Sequence, residues 1–114
     1  MKAVFVELPA FERHRAAYLD DAAFRALQLE LMRNPAAGAV IEGTGGLRKM
    51  RFADPRRGKG KRGGLRVIFY WWDAGNQFWL FTLYDKDEIA DLTPQQRKAL
   101  KVLVKEELDS RRTA

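Results

Sequence analysis

The chain has no cysteine and only one histidine, and these two scarcities remove many familiar routes to chemistry. Without cysteine there is no disulfide, no thiolate metal site and no cysteine nucleophile. A reducing compartment is compatible with that absence. The single histidine, His14, excludes a histidine pair for acid–base work, and without cysteine a structural zinc site is excluded too. His14 is expected on the exposed side of a short helix, as a surface residue rather than a base. Long apolar runs are also missing, and nothing approaches the length needed to span a bilayer. The opening MKAVFVELPAFERH offers only Ala3 to Val6 before charge intervenes, too short for a secretory signal. A cytoplasmic protein with no membrane partner is expected.

What remains is enough to fold. The 114 residues predict one domain, 1–114, and with 46% apolar and 32% charged residues it has a small core. The net charge of +6 is unevenly spread. Residues 48–66 hold Arg48, Lys49, Arg51, Arg56, Arg57, Lys59, Lys61, Arg62 and Arg66 against Asp54 alone, a local charge of +8. The other 95 residues therefore sum to −2. A concentrated basic patch on a near-neutral domain is the footprint of a polyanion binder, set against the plainer possibility of a solvated loop.

Periodicity orders the elements. VFVE (Val4 to Glu7) reads as a β-branched opening strand. Pro9 can start a helix to about Tyr18, with Phe11 and Tyr18 on one face. Asp20 or Asp21 caps a second helix to about Arg33, striped by Phe24, Leu27 and Leu31. From Val40, VIEGTGGLRKMRF contains two short extended pieces broken by Gly43, Gly45 and Gly46. Leu65 to Trp72 and Phe78 to Tyr84 are strands apolar on both faces, joined by a turn at Asp73 to Asn76. Thr93-Pro94-Gln95-Gln96 spells a capping box for a final helix striped by Leu100, Leu103, Val104 and Leu108. The fold class is α+β: a small antiparallel sheet with an N-terminal helical hairpin and a C-terminal helix, in the order β-α-α-β-β-β-α, with helices mainly on one face.

Several motifs fail on context. Gly58, Gly60 and Gly63 satisfy G-x-G-x-x-G but precede a strand instead of opening a helix, so a dinucleotide site is rejected. Asp85, Asp87, Glu88 and Asp91 could suggest a divalent metal, but Lys86 sits among them and a solvated turn is expected. The rings of Phe69 to Trp72 are expected in the core, with Tyr70 and Trp72 the least certain. Chemistry without metal or histidine remains open on RNA, whose ribose 2′-hydroxyl is a built-in nucleophile. An enzyme then needs to orient that hydroxyl, assist proton transfer and offset charge on the phosphate. Arg66 begins the third strand and Lys86 follows the fourth, so an antiparallel hairpin brings them together for that task.

GTGGLRKMRF, GKGKRGGLRVIFYWW and FTLYDKDEIADLTPQQRKAL resemble the RelE-like toxins of bacterial type II toxin–antitoxin modules, specifically the HigB branch. The likeness runs over the whole chain, including VFVE and the LMRNP helix end. It implies the same α+β fold and a ribosome-dependent mRNA endoribonuclease that cuts in the A site, with no cofactor and no metal. It implies that Arg66 stabilises the transition-state phosphate and that Lys86 assists the leaving oxygen or shares the charge. Lys59 and Lys61 fall in the loop that supplies the proposed base, while Arg48, Lys49, Arg51, Arg57 and Arg62 match the surface that holds mRNA and 16S rRNA. Some relatives use a tyrosine on the C-terminal helix as well; this helix has none from Pro94 onward, and Tyr84 is the nearest alternative. The implied partners are a helix-turn-helix, HigA-like antitoxin and, through it, operator DNA. The competing function is a non-cleaving RelE/ParE-superfamily toxin that binds gyrase or rRNA.

Overall fold

The structure, a computed structural model, describes residues 2–53, 64–89 and 91–112. Val4–Glu7 forms β1, and Pro9–Tyr18 and Asp21–Arg33 form α1 and α2. Ala39–Val40, Arg48–Phe52, Leu65–Trp72 and Gln77–Asp85 are β2 to β5, and Pro94–Arg112 is α3. No helix among the described residues is long and apolar enough to cross a membrane.

Local sequence accounts for most element ends. Pro9 occupies the first turn of α1, where its missing N–H costs nothing. Asp20 caps α2, its Oδ1 accepting from the Ala23 N–H at 2.8 Å. The α3 capping box is reciprocal: Thr93 Oγ1 accepts from the Gln96 N–H at 3.1 Å, and Gln96 Oε1 accepts from the Thr93 N–H at 2.8 Å. The GTGG stretch is the loop between β2 and β3. Its three glycines have positive φ, and the buried Thr44 hydroxyl donates to the Ile41 carbonyl at 2.6 Å. Between β4 and β5, Asp73–Gly75 makes one 3₁₀ turn, closed by Asn76 in the left-handed region.

The sheet order is β1-β5-β4-β3-β2. It is mixed rather than wholly antiparallel, because β1 runs parallel to β5, with Val4 paired to Gln77 and Glu7 to Leu80. Sequence periodicity marks β1 as a strand but carries no information on its neighbour or direction. The helices also divide between the two faces instead of gathering on one. Phe11, Leu27 and Leu31 of the helical hairpin pack on Leu65, Val67, Phe69, Leu80 and Leu83. Val104, with Leu100 and Leu108, packs on Ile68, Trp79 and Phe81 across the sheet. Strands apolar on both faces need two covers, and each large side chain so buried contributes about 1.5–3 kcal/mol. Tyr70 and Trp72 join the α3 face, with ring centroids 5.2 and 5.5 Å from Trp79. That places both in the packing rather than on a stacking platform.

Candidate functional site

Register brings the charged residues together. Arg66 on β4 is paired with Arg51 on β3 and with Tyr84 on β5, making one row across three strands. Directly opposed residues share a face of the sheet, and like charges so placed repel. Arg66 is only 6% exposed. Burial first, and then the Arg51 charge, lower its pKa, while Tyr84 and Asp85 act the other way. An anion between the two guanidiniums relieves this repulsion, and guanidiniums bind phosphate oxygens through paired N–H groups. Lys86 joins them at the open end of the hairpin: its N–H donates to the Gly64 carbonyl at 3.2 Å, and its side chain is exposed. Lys49, Arg51, Arg66, Tyr84 and Lys86 all line one open cavity of about 630 Å³, whose far wall is the end of α2.

Tyr84 reaches this cavity because β5 carries a bulge. Ile68 pairs with Thr82 and Phe69 with Leu80, leaving Phe81 as the extra residue. Before the bulge Trp79 and Phe81 face α3, and beyond it Tyr84 does. Strict alternation from Trp79 turns Leu83 toward α3 and Tyr84 toward the helical hairpin; Leu83 instead packs on the hairpin side. The Tyr84 phenol is raised above its ordinary value by burial first and then by Asp91, with Arg66 and Arg97 opposing. At neutral pH it is therefore a neutral hydrogen-bond donor.

Asp91 closes the rim. Its Oδ1 accepts from the Leu92 N–H at 2.7 Å and from Lys49 Nζ at 3.4 Å, and its Oδ2 lies 3.6 Å from Arg97. The backbone N–H first, and then Lys49 and Arg97, hold this carboxyl below the usual range, while burial pushes it up. A carboxylate here occupies cations that a phosphate could otherwise use.

No family model matches the chain. Among solved structures, it is similar to an arginine-to-alanine double mutant of the E. coli toxin RelE in the free state. The identity is 15%, the TM-score 0.50, and the match covers 79% of this chain and 90% of that one. The fold is RelE-like.

On this RelE-like sheet the candidate residues separate into three groups. Arg66 and Lys86 share a cavity, as the hairpin argument required, and Lys49 and Arg51 join them. Arg48 pairs with Phe69 and so lies on the opposite face, where it donates to the carbonyls of Ala36 and Gly38 at 3.0 and 3.4 Å. Lys59, Lys61, Arg57 and Arg62, with Arg56, lie outside the described residues. Asp85 departs from the solvated turn expected of it: it is fully buried, and its Oδ1 accepts from the Asp87 N–H at 2.7 Å to shape the chain after β5. Among the described residues no group of three or more histidine or acidic side chains could hold a metal ion. Sequence reasoning missed Asp91 and Arg97 as neighbours of this cationic cavity. Asp91 meets Lys49 across 42 positions, and nothing local in either segment signals that contact.

Proposed function

We propose that this chain is the toxin of a type II toxin–antitoxin module, of the HigB branch, and a metal-independent endoribonuclease that cuts translated mRNA in the ribosomal A site. The observation that carries this reading is the row Arg51–Arg66–Tyr84, with Lys86, on one open cavity. The RelE-like fold and the basic segment from 48 to 66 support it further. In this mechanism the ribose 2′-oxygen attacks the adjacent phosphorus and the bond to the 5′-oxygen breaks. The products are a 2′,3′-cyclic phosphate and a 5′-hydroxyl. The 2′-hydroxyl proton passes to a base, for which Lys59 and Lys61 are the candidates, and the 5′-oxygen takes a proton in turn. Arg66 and Arg51 neutralise the charge that builds on the phosphoryl oxygens. Tyr84, as a neutral donor, bonds one of those oxygens, and Lys86 shares the charge or protonates the leaving oxygen. Lys49, Arg51, Arg57 and Arg62, with Arg48 on the far face, hold mRNA and 16S rRNA through phosphate contacts.

A helix-turn-helix antitoxin silences the toxin, and the pair binds operator DNA through the antitoxin. The test is tightly controlled expression, with 5′ ends of cellular mRNA mapped after induction. Cuts within translated codons that disappear in Arg66→Ala and Lys86→Ala are the expected result. Growth arrest with intact mRNA refutes the nuclease and favours a non-cleaving toxin acting on gyrase or rRNA.

A further inference from the structure

A second, smaller recess lies beside the outer edge of β5. β1 pairs only with Gln77–Leu80, so past Leu80 that edge has no neighbouring strand among the described residues. Residues of α1 and of the segment entering α3 enclose a cavity of about 160 Å³ there. Leu83, Leu92 and the rings of Tyr18 and Tyr84 give it apolar walls. Its polar lining is His14, Thr82 and Gln96. The Gln96 Oε1 is engaged by the Thr93 N–H, which leaves the amino group as a donor. The Thr82 hydroxyl and the His14 imidazole have no hydrogen-bond partner among the described residues. Tyr84 lines this recess and the Arg66 cavity alike, so the two meet at one ring. The Leu92 wall is pinned in place, since Asp91 accepts from the Leu92 N–H and pairs with Lys49 and Arg97.

We propose that this recess receives a single unstacked nucleobase of the RNA, from the nucleotide whose phosphate lies against Arg66. The inference rests on the nuclease reading and adds a base-reading subsite to it. Single-stranded RNA is read by bases splayed out against aromatic or apolar side chains and hydrogen-bonded at their edges. The recess offers both elements: two tyrosine rings with leucines for the face, and the polar groups of His14, Thr82 and Gln96 for the edge. The linings differ to match: Lys49, Arg51, Arg66 and Lys86 line the larger cavity for the backbone, and among the described residues no lysine or arginine lines the smaller one. Its volume suits one heterocycle and not a base pair.

His14 is the only histidine, so its ring-proton NMR signals report on the recess without ambiguity. The experiment titrates the free, full-length protein with each of the four ribonucleoside 3′-monophosphates, and with ribose 5-phosphate and inorganic phosphate as controls. The expected result is a saturable shift of the His14 signals by at least one nucleotide and by neither control. Thr82→Val, which keeps the side-chain shape, is expected to weaken that response roughly fivefold, the loss of one neutral hydrogen bond. Silence of the His14 signals with all four nucleotides overturns the proposal, as does an equal response to ribose 5-phosphate or no change in Thr82→Val. Cleavage mapping on the wild type and Arg66→Ala reads the nuclease assignment separately. If mRNA stays intact while the His14 response persists, the nuclease reading fails and base binding stands. If mRNA is cut with no His14 response, the reverse holds.

Discussion

Replacing Arg66 with alanine removes a guanidinium that is 6% exposed and stands across from Arg51 and Tyr84. A collapsed protein is inactive for trivial reasons, so the catalytic effect counts only if the fold survives the substitution. Burial and the Arg51 charge act against the charged side chain, while Tyr84, Asp85 and its hydrogen bond to the Leu65 carbonyl at 3.2 Å favour it. Losing those unfavourable contributions offsets part of the packing lost with the aliphatic stem, so stability is expected to change by no more than about 1–2 kcal/mol. For a chain of this size that is a shift of about 4–8 °C in the thermal midpoint. The catalytic effect is expected to be larger. Removing one preorganised donor to a charged transition state costs about 10²–10³ in rate, or about 2.7–4 kcal/mol. Arg66→Lys keeps the charge but loses the bidentate fork, so it should fall between the wild type and alanine. The assay is single-turnover cleavage of mRNA on programmed ribosomes, at saturating toxin and below the melting temperature of each variant. Cleavage by Arg66→Ala within threefold of the wild type would refute the assignment of Arg66 to the reacting phosphate.

Four other outcomes follow from the same geometry. Arg51→Ala should weaken RNA binding in a salt-dependent way, lowering the slope of log affinity against log salt by about 0.7, the value for one phosphate contact on a single strand. Asp91→Asn should tighten RNA binding at low salt by freeing Lys49 and Arg97, a change measurable by fluorescence anisotropy with a short oligoribonucleotide. The Asp91 carboxyl is held low when folded, so its stabilising contacts are complete above the unfolded-state pKa and are lost as pH falls through the folded one. Carboxyl-detected NMR should therefore find its midpoint below the ordinary aspartate range, and Lys49→Ala should raise it. Thr93→Ala breaks the α3 capping box and should cost about 0.5–2 kcal/mol in urea unfolding.

Local sequence carried much of this architecture. The Asp20 cap, the Thr93–Gln96 box, the glycine loop before β3 and the two apolar strands depend on contacts a few residues long, and such contacts leave readable patterns. The meeting of Arg66 and Lys86 was legible for a related reason. A tight hairpin between Trp72 and Gln77 fixes which ends of β4 and β5 come together.

The remainder depended on registers and faces that no short window contains. One extra residue at Phe81 reverses the alternation of β5 and turns Tyr84, not Leu83, toward the Arg66 face. The parallel docking of β1 on β5 stops at Leu80, so among the described residues the outer edge of β5 beyond it has no neighbouring strand, and the recess beside His14 and Thr82 lies there. Asp91 finds Lys49 and Arg97 through the return of the chain toward α3. Residue type and spacing thus determined the elements, their caps and the cationic character of one hairpin end. Tertiary structure decided which side chains share a cavity, because strand phase and helix placement are set by packing across the whole sheet.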